Sequence, residues 1–245
     1  MSPSIPSGEA SRLRAAGQDL GELEQGVREK LEGFSRLLLE RTASVNLTGA
    51  RTAETLAEHI RDSIALGPYV REPFVDIGSG GGLPGIPLAI VTGLRGTLVE
   101  SVAKKSRFLA EAVQLLDLPL EVRSMRAEVA GREAGMRGTF ASATARAVGS
   151  LSTVLELTVP LLAVGGVAIL QRGRIDAWER TAAVDAALVL GAVIEDEFRL
   201  EVEGTLERRI VLVRKVQVTG QRFPRRPGIP EKRPLCVEPE WARNG

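Results

Sequence analysis

The chain has 245 residues, 44% hydrophobic and 26% charged, the composition of a globular protein able to bury a core without staples. Its 32 Lys and Arg oppose 31 Asp and Glu, so the net charge of +1 gives no global attraction to nucleic acid. A single cysteine, Cys236, excludes a disulfide framework and a multi-cysteine metal site, and fits a reducing, cytoplasmic setting.

The N-terminal residues are polar and lack the apolar core of a signal peptide. Residues 1–8 are rich in Ser and Pro and read as disordered. A helix is predicted over 11–42, where Leu31, Phe34, Leu37 and Leu38 recur at helical spacing, and another over 52–66 from Leu56, Ile60 and Ile64. The pattern then changes. A short strand over 74–77 runs into glycines, and a helix over 83–92 carries Pro84 and Pro87 in its first turn. A strand over 96–100 follows, with Ser101 placed to cap a helix over 102–116. Strands are predicted over 120–124 and 140–144, then a helix over 151–162. A strand over 167–171 is entered through Gly165-Gly166, and a helix covers 176–190 with Trp178 packed in it. The stretch 161–170 is too short and too broken to span a bilayer, so no membrane partner is expected. Strands over 193–202 and 208–216 close the pattern around a turn at Glu203-Gly204.

Strands alternating with helices imply an α/β fold: a doubly wound, mostly parallel sheet. The final pair, with no helix between, is expected to be antiparallel. The chain divides into an N-terminal helical extension (1–70), a sheet domain (71–216) and a basic, Pro/Arg-rich tail (217–245).

The most informative run is Asp76-Ile-Gly78-Ser-Gly80-Gly-Gly82-Leu-Pro-Gly85, which leaves the first strand and enters a helix, at the ligand crevice of such sheets. Two registers overlap. Gly80, Gly82 and Gly85 fit a dinucleotide fingerprint, with Glu100 where a ribose-binding acid belongs; this is the reading of an NAD(P)-dependent oxidoreductase. Asp76, Gly78, Gly80 and Gly82 instead resemble motif I of class I (Rossmann-like) methyltransferases, which bind S-adenosylmethionine. Three features favour the second. Gly78 follows the strand immediately. Pro160-Leu-Leu-Ala-Val-Gly165-Gly166 resembles the entry to the fifth strand of those enzymes. The closing strand pair resembles their last two strands.

The chain also resembles one family, RsmG (GidB), bacterial methyltransferases of 16S ribosomal RNA. The matching runs are Asn46-Leu47-Thr48, His59-Ile-Arg-Asp62-Ser63, the glycine loop through Pro87, Glu100-Ser101 with Lys104-Lys105 and Phe108-Leu109, Arg126-Ala127-Glu128, Ala145-Arg146-Ala147-Val148, and Arg222 through Pro234. The order and spacing are specific. The resemblance implies transfer of a methyl group from S-adenosylmethionine to N7 of a guanine, on 16S rRNA or a small-subunit particle, by a monomer. It implies a cofactor site of Gly78, Leu83, Ser101, Val102, Ala103, Ala127, Glu128 and Arg146, beside Asp76, Gly80, Gly82 and Glu100 from the loop. It departs from the family at Glu100, where aspartate is common, at Gln171-Arg172-Gly173, where a Lys-Gly pair is usual, and at Ala145, where serine is common.

Guanine N7 has an exposed lone pair and no proton to lose, so no general base is required and no metal is expected. Arg146 is assigned to positioning. His59, the only histidine, is either a base or a structural hydrogen-bonding residue. Cytosine C5 chemistry needs a thiol nucleophile, and adenine N6 enzymes carry a different motif where this chain has Ala145-Arg146-Ala147-Val148. Seven Lys/Arg stand against one acid over residues 214–233. Lys104, Lys105, Arg222, Arg225, Arg226, Lys232 and Arg233 are therefore the expected RNA contacts, with Pro224, Pro227 and Pro230 keeping the tail extended. The competing expectation is that the tail packs along the domain. A catalytically silent RNA-binding protein on the same fold is the third reading.

Overall fold

The computed structural model describes residues 23–50, 52–146, 148–200 and 208–235. The expectations for residues 1–22, Ala147, the Glu203-Gly204 turn, Cys236 and Trp241 lie outside them.

Helix α1 spans Gln25–Val45 and stops at Asn46, whose φ of 54° breaks the helix in the left-handed region. Leu47 then folds back into the core. Helix α2, Ala53–Ile64, starts where the Thr52 side chain accepts from the Thr55 amide, and buries Leu56, Ile60 and Ile64. The sheet elements follow in order: β1 Phe74–Ile77, α3 Gly85–Thr92, β2 Gly96–Glu100, α4 Ala103–Leu115, β3 Leu120–Ser124, α5 Ala127–Ala130, β4 Phe140–Arg146, α6 Leu151–Thr158, β5 Leu162–Arg172, α7 Ala177–Leu190, β6 Ala192–Leu200, β7 Arg208–Lys215 and α8 Ile229–Lys232.

The seven strands lie in the order β3-β2-β1-β4-β5-β7-β6. The first five pair in parallel, while β7 is antiparallel to both β5 and β6. The expected architecture is therefore observed. The strand order reverses at β1, where β2 and β4 lie on opposite sides, and that switch point opens a crevice at the carboxyl ends. One face of the sheet packs Val75, Ile77 and Ala143 against Leu151, Leu155 and Ala186 of α6 and α7. On the other, Phe34 and Leu38 of α1 share a cluster with Ile86, Leu98 and Leu109, so the N-terminal helices complete the core. Gly81 lies under α1: a Cβ there would come within 2.9 Å of both Leu38 and the Leu47 carbonyl. Among the described residues no helix is long and apolar enough to cross a membrane.

Five local expectations are corrected. Ser101 does not cap α4; Val102 takes the cap position, and the Glu100 carboxylate accepts the Val102 amide at 2.7 Å. The helix predicted over 151–162 ends at Thr158, and Val159–Leu161 is a 3-10 turn around Pro160, which cannot donate to a continuing helix. Strand β5 begins at Leu162, which pairs with Phe140; from there to the Ser142–Val167 pair β5 advances five residues against two, so the stretch holding its glycines bulges out of the ladder. Trp178 is 57% exposed and packs no core. The tail is not extended throughout: α8 forms a helical turn with Pro230 in its first turn, where a missing amide proton costs nothing.

Candidate active site

At the carboxyl ends of β1 to β4 lies a cavity of about 280 Å³. Its walls include Ile77 and Gly78 after β1, Ser101 after β2, Met125 through Glu128 after β3, Val148 and Gly149 after β4, and Thr153 and Leu157 on α6. Pro230 and Glu231 from the tail complete it. Ligand pockets run from about 300 Å³ upward, so this one suits the nucleoside end of a cofactor. Its polar groups are few and fixed. Glu128 is 6% exposed, and its Oε1 accepts the Gly228 amide at 2.7 Å.

The glycine loop is shaped from below by two carboxylates. Glu100 Oε2 accepts the Gly80 amide at 2.9 Å while its Oε1 holds Val102, so one side chain ties the loop to the start of α4. Asp76 is fully buried, and its Oδ1 accepts from the Thr144 hydroxyl at 2.8 Å. Burial pushes the Asp76 carboxyl up to about 7, against hydrogen bonds from Thr144 and Ser79 that favour the charged form. Gly78 turns the chain at φ 68°, and a Cβ there would meet Val148 Cγ2 at 2.9 Å. Gly82 and Gly85 are required by packing: a Cβ on either would come within 2.5 Å of Ile86 or Leu98 respectively. Those two glycines of the overlapping dinucleotide register thus have a steric reason to be present without any pyrophosphate.

A second polar group involves Arg146, His59, Asp62 and Arg208, none of which lines the cavity. Arg146, the last residue of β4, donates from Nη1 to the His59 carbonyl at 3.4 Å, and Arg208 at the start of β7 pairs with the fully buried Asp62 at 3.1 Å. Burial, reinforced by the charges of Arg146 and Arg208, lowers His59 to about 4. At neutral pH His59 is an uncharged imidazole of weak basicity, which removes the motive for casting it as a general base. Gln171, opposite Arg146 on β5, is 3% exposed, and neither amide atom has a hydrogen-bond partner among the described residues.

Gly78, Ser101, Ala127 and Glu128 of the predicted cofactor residues thus meet on one cavity wall. Glu100 bonds the amides of Gly80 and Val102, Asp76 lies buried under the loop, and Leu83 and Ala103 are neighbours in the chain; these residues, with Gly82 and Arg146, are not among those lining the cavity. The Asp76 carboxyl is enclosed beneath the loop, with its Oδ1 held by Thr144. Sequence reasoning missed Met125, Val148, Thr153, Leu157 and the tail residues Pro230 and Glu231. Their signal is long-range packing, which no local spacing carries. Among the predicted RNA contacts, Lys104, Arg222, Arg226, Lys232 and Arg233 are exposed and Lys105 half-buried. Arg225 is different: its backbone amide and guanidinium converge on Glu156, which is fully buried.

Comparison with known proteins bears on these features. The sequence profile of GidB, rRNA small subunit methyltransferase G, matches residues 27–205. The ribosomal RNA small subunit methyltransferase G of Rubrobacter xylanophilus is 41% identical over 212 residues, covering 81% of this chain and 80% of the relative. That of Pelotomaculum thermopropionicum is 36% identical over 236 residues, covering 92% and 98%. Among solved structures, a candidate RNA methyltransferase from Pyrococcus horikoshii superposes with a TM-score of 0.53 at 13% identity, covering 76% of this chain and 99% of that one. A variant of the Thermus thermophilus branched-chain polyamine synthase, holding 5'-methylthioadenosine, gives 0.57 at 16% identity, covering 90% and 73%. The structural likenesses speak to fold alone.

Proposed function

The chain belongs to the rRNA small subunit methyltransferase G family, and from that premise we propose that it transfers a methyl group from S-adenosylmethionine to N7 of a guanine in 16S rRNA. The observation that carries the proposal is the cavity walled by Gly78, Ser101, Ala127 and Glu128 at the switch point of the sheet. The cofactor, when bound, supplies a sulfonium that is already a good methyl donor. The protein's task is to bind, orient and enclose. Gly78 admits the ligand close to the backbone at the end of β1. Ala127 gives a small wall, and Glu128 supplies an acceptor suited to an adenine amino group. Glu100 keeps the loop in place and has acceptor capacity toward ribose hydroxyls.

Arg146 and its neighbours are assigned to the target base. A guanidinium carries no lone pair for proton abstraction, so its role is positioning by donated hydrogen bonds. Neutral His59 is consistent with a reaction that needs no base. Holding a nucleophile and a methyl group in line is worth about 7–11 kcal/mol of barrier when the pair is well oriented. The reaction is placed in the cytoplasm, on rRNA or a small-subunit particle, with the protein acting as a monomer.

Methyl-labelled cofactor and purified 16S rRNA test this directly. Label is expected at N7 of one guanine, and Arg146→Ala is expected to reduce the transfer rate strongly while the protein stays folded. Label on another base atom overturns the specificity. No transfer to rRNA, with tight NAD binding in place of S-adenosylmethionine, overturns the whole reading.

A further inference from the structure

The tail is built into the cavity wall. Gly228 donates its amide to Glu128, and the Pro230 carbonyl accepts from the Thr153 hydroxyl at 2.9 Å, so both anchor points on the domain side are themselves cavity residues. Upstream, Arg225 forms a fork on Glu156. Oε1 accepts the backbone amide at 2.7 Å and Nε at 2.9 Å, and Oε2 accepts Nη2 at 2.6 Å. Glu156 lies one turn beyond Thr153 on α6 and is fully buried, so its charge has been taken out of water to meet this arginine. Arg132 and Arg137 hold the stretch before it by donating to the carbonyls of Pro224 and Phe223 at 2.8 and 2.7 Å. Phe223 itself is in the core.

We infer that residues 228–231 form the outer wall of the cofactor's adenine end, and that the Arg225–Glu156 pair is the positioning element that fastens this wall. The inference rests on the cofactor site proposed above. Glu128 is the link, because the same carboxylate meets the tail and lines the cavity. A tail released from Glu156 would take Pro230 and Glu231 out of the wall and leave Glu128 without its backbone donor. Cofactor affinity is then a property of the docked tail as well as of the glycine loop.

The test is calorimetry with S-adenosylmethionine on the full chain and its variants, with melting temperature as the check on folding. Arg225→Ala should weaken binding about tenfold, the equivalent of about 1.4 kcal/mol. Arg225→Lys keeps the charge but cannot make the fork, and should fall between the two. In turnover, the KM for the cofactor should rise with kcat near the parent value, a split that a merely structural defect does not produce. A second measurement needs no substitution: hydrogen exchange across residues 226–235 should slow when S-adenosylhomocysteine is added to the unaltered protein. If the parent fails to bind S-adenosylmethionine, the site reading itself is wrong. If the parent binds, and folded variants bind equally well, the tail inference alone is overturned. Should Arg225→Ala fail to fold, unchanged exchange in the tail overturns it just as well.

Discussion

Gly78 illustrates how a single position joins backbone conformation to the cavity. Its φ of 68° lies in the left-handed region, and an added Cβ would press on Val148, a neighbour in the same wall. Gly78→Ala should lose about 1–2 kcal/mol of stability from the strained backbone alone. It should also weaken S-adenosylmethionine binding, because Val148 must move. Calorimetry and thermal unfolding read the two effects separately, and normal affinity in the variant would remove Gly78 from the site. His59 gives a pH signature. Its imidazole, held neutral by burial, binds a proton less readily in the folded protein than in the unfolded chain, about 4 against 6.5. The stability it supports is complete above pH 6.5 and is lost as pH falls toward 4. Asp76 works in the opposite sense: its raised carboxyl favours the folded state at low pH and loses that contribution as pH rises from 3.8 toward 7. Comparison with His59→Gln isolates the first effect. The stability difference in the variant's favour should grow as pH is lowered through that window, and parallel curves would mean that His59 is not held neutral. Both effects were out of reach of the sequence, which shows a lone histidine and an acid before a glycine but not their burial.

At the level of elements, strands β1, β2 and β3 could be read to the residue: Pro73 and Gly78 bracket β1, Gly96 opens β2 and Pro119 precedes β3. The four residues of α5 could not, since so short a helix has no periodicity to detect. Strand β5 shows what lies between. Its core was legible from apolar residues, but its early start depends on extra residues of β5 that bulge out between its pairings with Phe140 and Ser142. Its far end carries a misfit, Gln171, a buried amide with neither atom paired among the described residues. An unmade buried hydrogen bond costs about 1–3 kcal/mol. Gln171→Leu should therefore raise the melting temperature. If the amide is kept for the target base beside Arg146, the same change should lower methyl transfer to rRNA while leaving cofactor affinity alone. A stabilised variant of full activity would show that the amide has no part in the reaction.

Over the whole molecule, charge is balanced, yet the exposed cations of the tail are concentrated on one segment whose backbone is pinned. The Arg222 carbonyl accepts from Arg132, and the Arg233 carbonyl from Arg225, while the side chains of Arg222, Arg226 and Arg233 point out to solvent. Arg222 lies with its guanidinium 4.9 Å from the ring centre of Phe223, which steadies it without neutralising it. A run of basic residues was visible in the sequence, but the separation of Arg225 from its neighbours was not, because Glu156 is far away in the chain and only the fold brings it near. This division makes a prediction about RNA. Each phosphate contact on single-stranded RNA contributes roughly 0.7 to the log–log salt slope of binding. Replacing Arg222, Arg226 and Arg233 together by alanine should lower rRNA affinity and flatten the slope by up to about 2 units, if all three reach phosphate. Cofactor affinity should stay at the parent value, since none of the three fastens the cavity wall. Arg225→Ala should do the reverse, lowering melting temperature and cofactor affinity with the salt slope unchanged. Titrations at several salt concentrations decide the matter. A triple variant with the parent slope would mean that the tail serves the cofactor site and leaves RNA to other surfaces, among them Lys104 and Lys105 at the start of α4.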